Sequence, residues 1–346
     1  MNVSPTDDRD PSEVTPPQKA RRNFLKHKQN TQKASTARAY KYPTKDFIQY
    51  CTKNGVTTTG DITKRHISRW KDQRRDEVKA VTVHNNTKHL RVFIKWMAHR
   101  ELVEWGLQDK IEIPNVPEDE DVNQQVLREG HAESVLDYLD TYHYGSIYHA
   151  LFYTMWHTGC RISGAISLDL DDFQPSAHDD NILTFRNRKS EGTPLKNGNS
   201  GERDVTISDG LAEVLNDYIS SPREKKTDEY DREPLFTVPS GRLYRQRAYK
   251  NIVAITRPCV PTGKCPIERE VEGCGAAQDK EKAPSCPESV ANHAIRKGSI
   301  THHINEGWPK EPLSERVDVS VDVLEKHYDF RTNEKQRQNR RQFLHD

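Results

Sequence analysis

Apolar side chains recur at helical intervals in two separate stretches of this chain. In the first, Leu90, Phe93, Ile94 and Met97 stand at i, i+3, i+4 and i+7, one face of a helix, while Lys88, Arg91 and Lys95 point elsewhere. Weaker stripes cover residues 40–51 (Tyr40, Phe47, Ile48, Cys51, with Pro43 as a point of breakage) and 61–70 (Ile62, Ile67, Trp70, with Asp61 and Thr63 placed to cap). In the second stretch, Ile147, Leu151, Phe152 and Met155 predict a buried helix ending at the turn His157, Thr158, Gly159, and Leu211, Val214, Leu215, Tyr218 and Ile219 predict another. Between them, Ile182, Leu183 and Phe185 on one side and Val205 and Ile207 on the other flank a turn-rich segment with Asn197, Gly198 and Gly201, the pattern of an antiparallel hairpin with a long loop. Val321, Leu324 and Tyr328 make a last helical face, with Ser320 as its cap. The fold class expected is mostly α with a small antiparallel sheet, an all-helical domain followed by an α+β one.

Composition sets the boundaries. Residues 1–21, with Pro5, Pro11, Pro16 and Pro17 among polar residues, lack periodicity and are expected to be a disordered tail. The helical domain then spans 22–110, a linker rich in proline and acid spans 111–124, the second domain spans 125–332 and a tail covers 333–346. At 346 residues, two domains are the natural partition. The chain carries a formal charge of only +1, but residues 21–100 hold 20 basic against 5 acidic side chains, and 101–124 hold 1 against 8. A block at +15 is the electrostatic footprint of a nucleic-acid-binding module. No apolar run reaches the roughly 18 residues of a membrane span, and the N-terminus lacks a secretory signal, so a cytoplasmic protein without membrane partners is expected.

Four segments of the second domain hold residue types suited to stabilising a phosphate during attack by a side-chain nucleophile. Arg161 follows a glycine turn, and its planar fork suits two phosphate oxygens. Lys196 lies in the hairpin loop as a candidate proton donor, with Lys189 as its fallback. His293 and Arg296 are i, i+3 neighbours on one helix face. Tyr328 closes the set.

In this order, a Thr-Gly-Cys-Arg turn, a hairpin Lys, His-x-x-Arg and a Tyr near the C-terminus resemble the tyrosine recombinase (phage integrase) family, with wording closest to its archaeal branch. The resemblance spans about 124–332, and the basic block is similar to the family's SAM-like core-binding domain. It implies a site-specific DNA recombinase acting on a mobile element or a replicon. Tyr328 would attack a phosphodiester of double-stranded DNA to give a 3′-phosphotyrosyl enzyme, Arg161 and Arg296 would clamp the phosphate, Lys196 would protonate the 5′-oxygen and His293 would handle the tyrosine proton. It also implies a homotetramer on DNA, monomeric or dimeric when free, with no cofactor required for catalysis.

Two positions depart from the family pattern. Val319 stands where a His or Trp is usual, leaving His302, His303 or His327 as substitutes, and Gly164 stands where an acid commonly braces the first Arg. An insert at 258–287 carries Cys259, Cys265, Cys274 and Cys286, which suit a structural zinc but are also compatible with free thiols or disulfides. Cys160 reads as a small buried apolar residue. The competing functions are a non-catalytic DNA-binding derivative, a type IB topoisomerase and a metal-dependent nuclease.

Overall fold

The structure, a computed structural model, describes residues 15–32, 34–116, 125–328, 337 and 341. It divides into two compact units, residues 1–123 and 124–346. Residues 117–124, and all of the expected C-terminal tail except residues 337 and 341, lie outside the described residues.

The first unit is helical: α1 Pro17–Thr31, α2 Ala34–Ala39, α3 Lys41–Lys53, α4 Lys64–Glu77 and α5 Ala80–Ala98. The stripe Leu90, Phe93, Ile94 and Met97 is fully buried, and Lys88 and Lys95 stay exposed behind it. Helix α1 starts inside the stretch expected to be disordered. Pro17 fits a first helical turn because its missing N–H needs no partner there, and Ala20 and Phe24, one turn apart, bury against α3 and α5. Likewise Pro43 does not break α3, because it sits in the first turn, where an absent donor costs nothing. Asp61 closes a short 3₁₀ turn instead of capping α4; Thr63 is the residue at the start of α4, its N–H donating to His66 Nδ1 at 3.2 Å. Phe24 packs edge-on to Tyr40 and Trp96, and Phe47 to Trp70.

The second unit opens with α6 Glu129–Tyr142, α7 Ile147–Thr158 and the single turn α8 Ile162–Ala165. A three-stranded antiparallel sheet follows, β1 Phe173–Gln174, β2 Asn181–Phe185 and β3 Arg203–Ile207, in the order β1-β2-β3 with Leu183 opposite Val205. The hairpin is where the alternation placed it. Next come α9 Asp209–Ser220, a small ribbon of β4 Thr237–Val238 and β5 Gly241–Arg242 that the pattern did not announce, α10 Arg245–Ile255, the single turns α11 Cys259–Thr262 and α12 Gly275–Gln278, and α13 Asn292–Asn305, α14 Lys310–Val317 and α15 Val321–His327. Ser320 occupies the position before α15 but makes no side-chain cap bond. Among the described residues no helix is long and apolar enough to cross a membrane.

Helices α7 and α13 pack tightly, and Gly298 is the reason they can. A Cβ there would fall 2.1 Å from the Leu127 carbonyl oxygen and 2.9 Å from the Trp156 ring. Gly298→Ala is therefore expected to destabilise the unit by about 3 kcal/mol, the upper end for overpacking against backbone, measurable by urea denaturation.

His303 on α13 is buried, with Nδ1 donating to the Ser299 carbonyl at 2.7 Å, and burial pushes its pKa down to about 4. The unfolded chain takes up that proton near pH 6.5, so between about pH 4 and 6.5 it binds more protons than the folded one, and stability rises with pH across that window. His303 should contribute a loss of roughly 3 kcal/mol on full acidification, and His303→Gln should flatten the pH dependence of the urea midpoint.

Candidate functional site

Helix α7 ends at Gly159 in the left-handed conformation (φ 60°), its N–H donating to Met155 O at 3.1 Å. A side chain there would be strained and would press on Val317 Cγ1 at 3.0 Å and Ser299 Oγ at 3.2 Å, so glycine lets α13 and α14 close on the end of α7. The chain then turns Arg161 toward α14. Its Nη1 donates to Asp318 Oδ2 at 2.6 Å and to the Asp318 carbonyl at 3.1 Å, while 29% of the side chain remains exposed.

Arg296, on the inner face of α13, is 1% exposed. Its Nη1 donates to Gly159 O at 2.7 Å and Nη2 to Asp318 O at 3.4 Å, so the two arginines share one carbonyl. Burial, followed by the charge of Arg161, pulls the Arg296 pKa down to about 10, and a hydrogen bond and Coulomb attraction from Tyr328 oppose that fall. Arg296 nonetheless stays cationic at neutral pH. Tyr328, directly after α15, is 6% exposed and packs with Ile300, Ile304, Leu313, Val317, Val319 and Leu324. Its carbonyl accepts Thr301 Oγ1 at 3.0 Å.

His293 is exposed on the first turn of α13, three residues before Arg296. Partial desolvation of its ring, then the charges of Lys297, Arg296 and Arg161, hold its pKa below the ordinary value, which keeps the imidazole neutral and able to accept a proton at pH 7. Arg161, His293, Arg296 and Tyr328 are thus brought together. Lys196 is exposed on the β2–β3 loop and makes no hydrogen bond among the described residues, as does the fallback Lys189. The next residue ties that loop to the centre, Asn197 Nδ2 donating to Asp318 Oδ1 at 2.7 Å.

Asp318 is the residue that sequence reasoning missed. It adopts a left-handed backbone (φ 54°), binds Arg161 and Asn197 with its carboxylate, and offers its carbonyl to both arginines. The signal was Gly164: with no acid three residues after Arg161, a brace had to come from elsewhere. A Cβ at Gly164 would sit 3.4 Å from the Phe185 ring, so that position serves packing. Arg203, on β3, was also missed; it stacks 4.3 Å over Phe185 and donates to Arg316 O at 2.7 Å, adding positive charge near Arg161.

Val319 is 9% exposed in the apolar cluster around Tyr328, so a packing contact replaces the polar one expected there. Neither helical histidine takes that role: His302 pairs with Glu129 at 2.9 Å, and His303 is buried on the Ser299 carbonyl. The His327 side chain lies outside the described residues. Cys160 is fully buried. Cys259, Cys265, Cys274 and Cys286 all line one cavity of about 20 Å³.

By sequence, the chain matches no family model and no curated relative. By structure, it is similar to the XerH site-specific recombinase in a post-cleavage complex with palindromic difH substrate, at 15% identity and TM-score 0.62 over 93% of this chain and 83% of that one. It is also similar to the Tn1549 transposon integrase in complex with a circular intermediate DNA, at 13% identity and TM-score 0.63 over 96% of this chain and 100% of that one. The chain therefore has the tyrosine recombinase fold.

Proposed function

We propose that this chain is a site-specific DNA recombinase that cleaves and rejoins double-stranded DNA through a 3′-phosphotyrosyl intermediate on Tyr328. The observation that carries the reading is the convergence of Arg161, Arg296, His293 and Tyr328, from the end of α7, from α13 and from the end of α15, around one electropositive centre. Two guanidiniums that share the Asp318 carbonyl, one of them also held by Gly159 O, would be preorganised to neutralise the non-bridging oxygens of a pentavalent phosphate. Tyr328 Oη forms the bond to phosphorus as the bond to the 5′-oxygen breaks; His293 accepts the phenolic proton and Lys196 supplies one to the departing oxygen. The phosphodiester energy is kept in the covalent link, so rejoining by another strand's 5′-hydroxyl needs neither nucleotide nor metal. The basic first unit would supply sequence-independent affinity for phosphates, and four protomers on two duplexes would make strand exchange.

The test is covalent trapping. The full chain, incubated in EDTA with nicked suicide duplexes covering DNA around its own gene, should yield a DNA-linked species on a denaturing gel, and its DNA affinity should fall steeply with salt. Tight binding with no adduct on any flanking substrate would instead favour a non-catalytic DNA-binding protein, a reading to which the Asp318 carboxylate on Arg161 lends weight. A requirement for divalent metal would point to a nuclease.

That carboxylate engages Nη1 of Arg161, a donor that a scissile phosphate would compete for on this reading. Asp318→Asn keeps an acceptor, and asparagine tolerates the left-handed backbone. Loss of a charge-assisted bond worth about 1.5 kcal/mol should raise single-turnover cleavage roughly tenfold. A fall in rate would make Asp318 a positioning residue for Arg161.

A further inference from the structure

The segment between α10 and α13 folds with almost no apolar interior. Among residues 256–291 only Ala276, Ala283 and Val290 are buried hydrophobic side chains, although the segment forms the turns α11 and α12. Its four cysteines, scattered over 28 positions, surround a single cavity of about 20 Å³ that is also lined by Arg257 and Arg269. A space of that size suits one water or one ion and excludes an organic ligand.

The second observation is a charge without a counter-charge. Arg257 is 5% exposed; its Nε donates to Ala254 O at 2.8 Å and its Nη1 to the carbonyls of Ala276 and Ala277, the latter at 2.8 Å. Among the described residues no carboxylate lies within ion-pair distance of it. A buried guanidinium facing only carbonyls is costly unless an anion sits nearby.

We propose that Cys259, Cys265, Cys274 and Cys286 bind one zinc ion as thiolates, forming a structural centre that organises the insert. Four thiols give up four protons to solvent and no electron moves; the tetrathiolate centre carries two net negative charges, which Arg257 and Arg269 offset. Zinc–sulfur bonds of about 2.3 Å place the sulfurs about 3.8 Å apart. Among the described residues no three of these sulfurs come within 4.8 Å of one another, so loading draws α11 and α12 inward around the ion. Two disulfides would also staple the segment, but they would leave Arg257 uncompensated. The centre is independent of the recombinase reading and stands or falls on metal chemistry alone.

The experiment uses the full chain purified without chelator. Elemental analysis should find one zinc per chain, released stoichiometrically as an organomercurial blocks four thiols. Exchange for Co²⁺ should give a thiolate charge-transfer band and tetrahedral ligand-field bands in the visible. Cys274→Ser and Cys286→Ser should each weaken Co²⁺ binding by roughly 100-fold or more. Because losing a ligand can also unfold the insert, the titration of the unmutated, reduced apoprotein decides: no thiolate band, or thiols fully reactive and unaffected by added metal, overturns the proposal. So does an intact mass showing two disulfides in the purified chain.

Discussion

Tyr328→Phe should abolish the covalent protein–DNA adduct entirely while leaving DNA affinity and the fold in place. The substitution deletes one oxygen and keeps the ring, which packs with Ile300, Ile304, Leu313, Val319 and Leu324. What is lost structurally is the hydrogen bond with Arg296, a cost of about 1 kcal/mol. What is lost chemically, on the proposed mechanism, is the nucleophile. Trapping on a suicide duplex, paired with a thermal melt and a salt-matched binding titration, separates the two. Tyr328→Ala makes the contrast, since emptying the cluster should cost roughly 3–5 kcal/mol and confound chemistry with folding. An adduct persisting in the Phe variant would remove Tyr328 from the mechanism.

Arg296→Lys carries the second large effect, a fall in single-turnover cleavage of roughly 100- to 1,000-fold, the scale of removing one preorganised donor to a transition-state oxygen. Lysine keeps the charge but not the fork that spans Gly159 O and Asp318 O. Equilibrium DNA binding should change less than about tenfold, because on the proposed reading most of the affinity would come from the basic first unit through counterion release. A parallel drop in rate and affinity would mean that Arg296 mainly holds the end of α7 against α14, and the phosphate role would pass to Arg161.

Much of the architecture was legible. The α5 stripe, the α7 and α9 stripes and the β2–β3 alternation were read correctly because each buries one side of a regular element, and burial writes a period of 3.6 or 2 into the chain. Where reading failed, local composition was overruled by position. Pro17 and Pro43 looked like breakers but stand in first turns, and Ala20 and Phe24 gain a neighbour that a window around residue 20 cannot contain. The β4–β5 ribbon is too short to carry a period. Of the residues that the motifs single out, Arg161, His293, Arg296 and Tyr328 lie together while Lys196 stays exposed without a hydrogen bond among the described residues, and Asp318 and Arg203 belong to no pattern of spacing.

Sequence by itself determined that Arg161, His293, Arg296 and Tyr328 stand in motifs that belong together, where the charge lies, and the division into a basic helical unit and an α+β unit. These are properties of composition and period, which need no knowledge of what meets what. Tertiary structure alone decided that Asp318, 157 positions from Arg161, would bind it, that one carbonyl would serve two arginines, that Val319 would fill the cluster around Tyr328, and that four irregularly spaced cysteines would ring one small cavity beside a buried arginine. The physical reason is that such contacts are set by how helices pack and how a glycine lets them close, and distance along the chain carries almost no information about distance in space once the chain has folded back on itself.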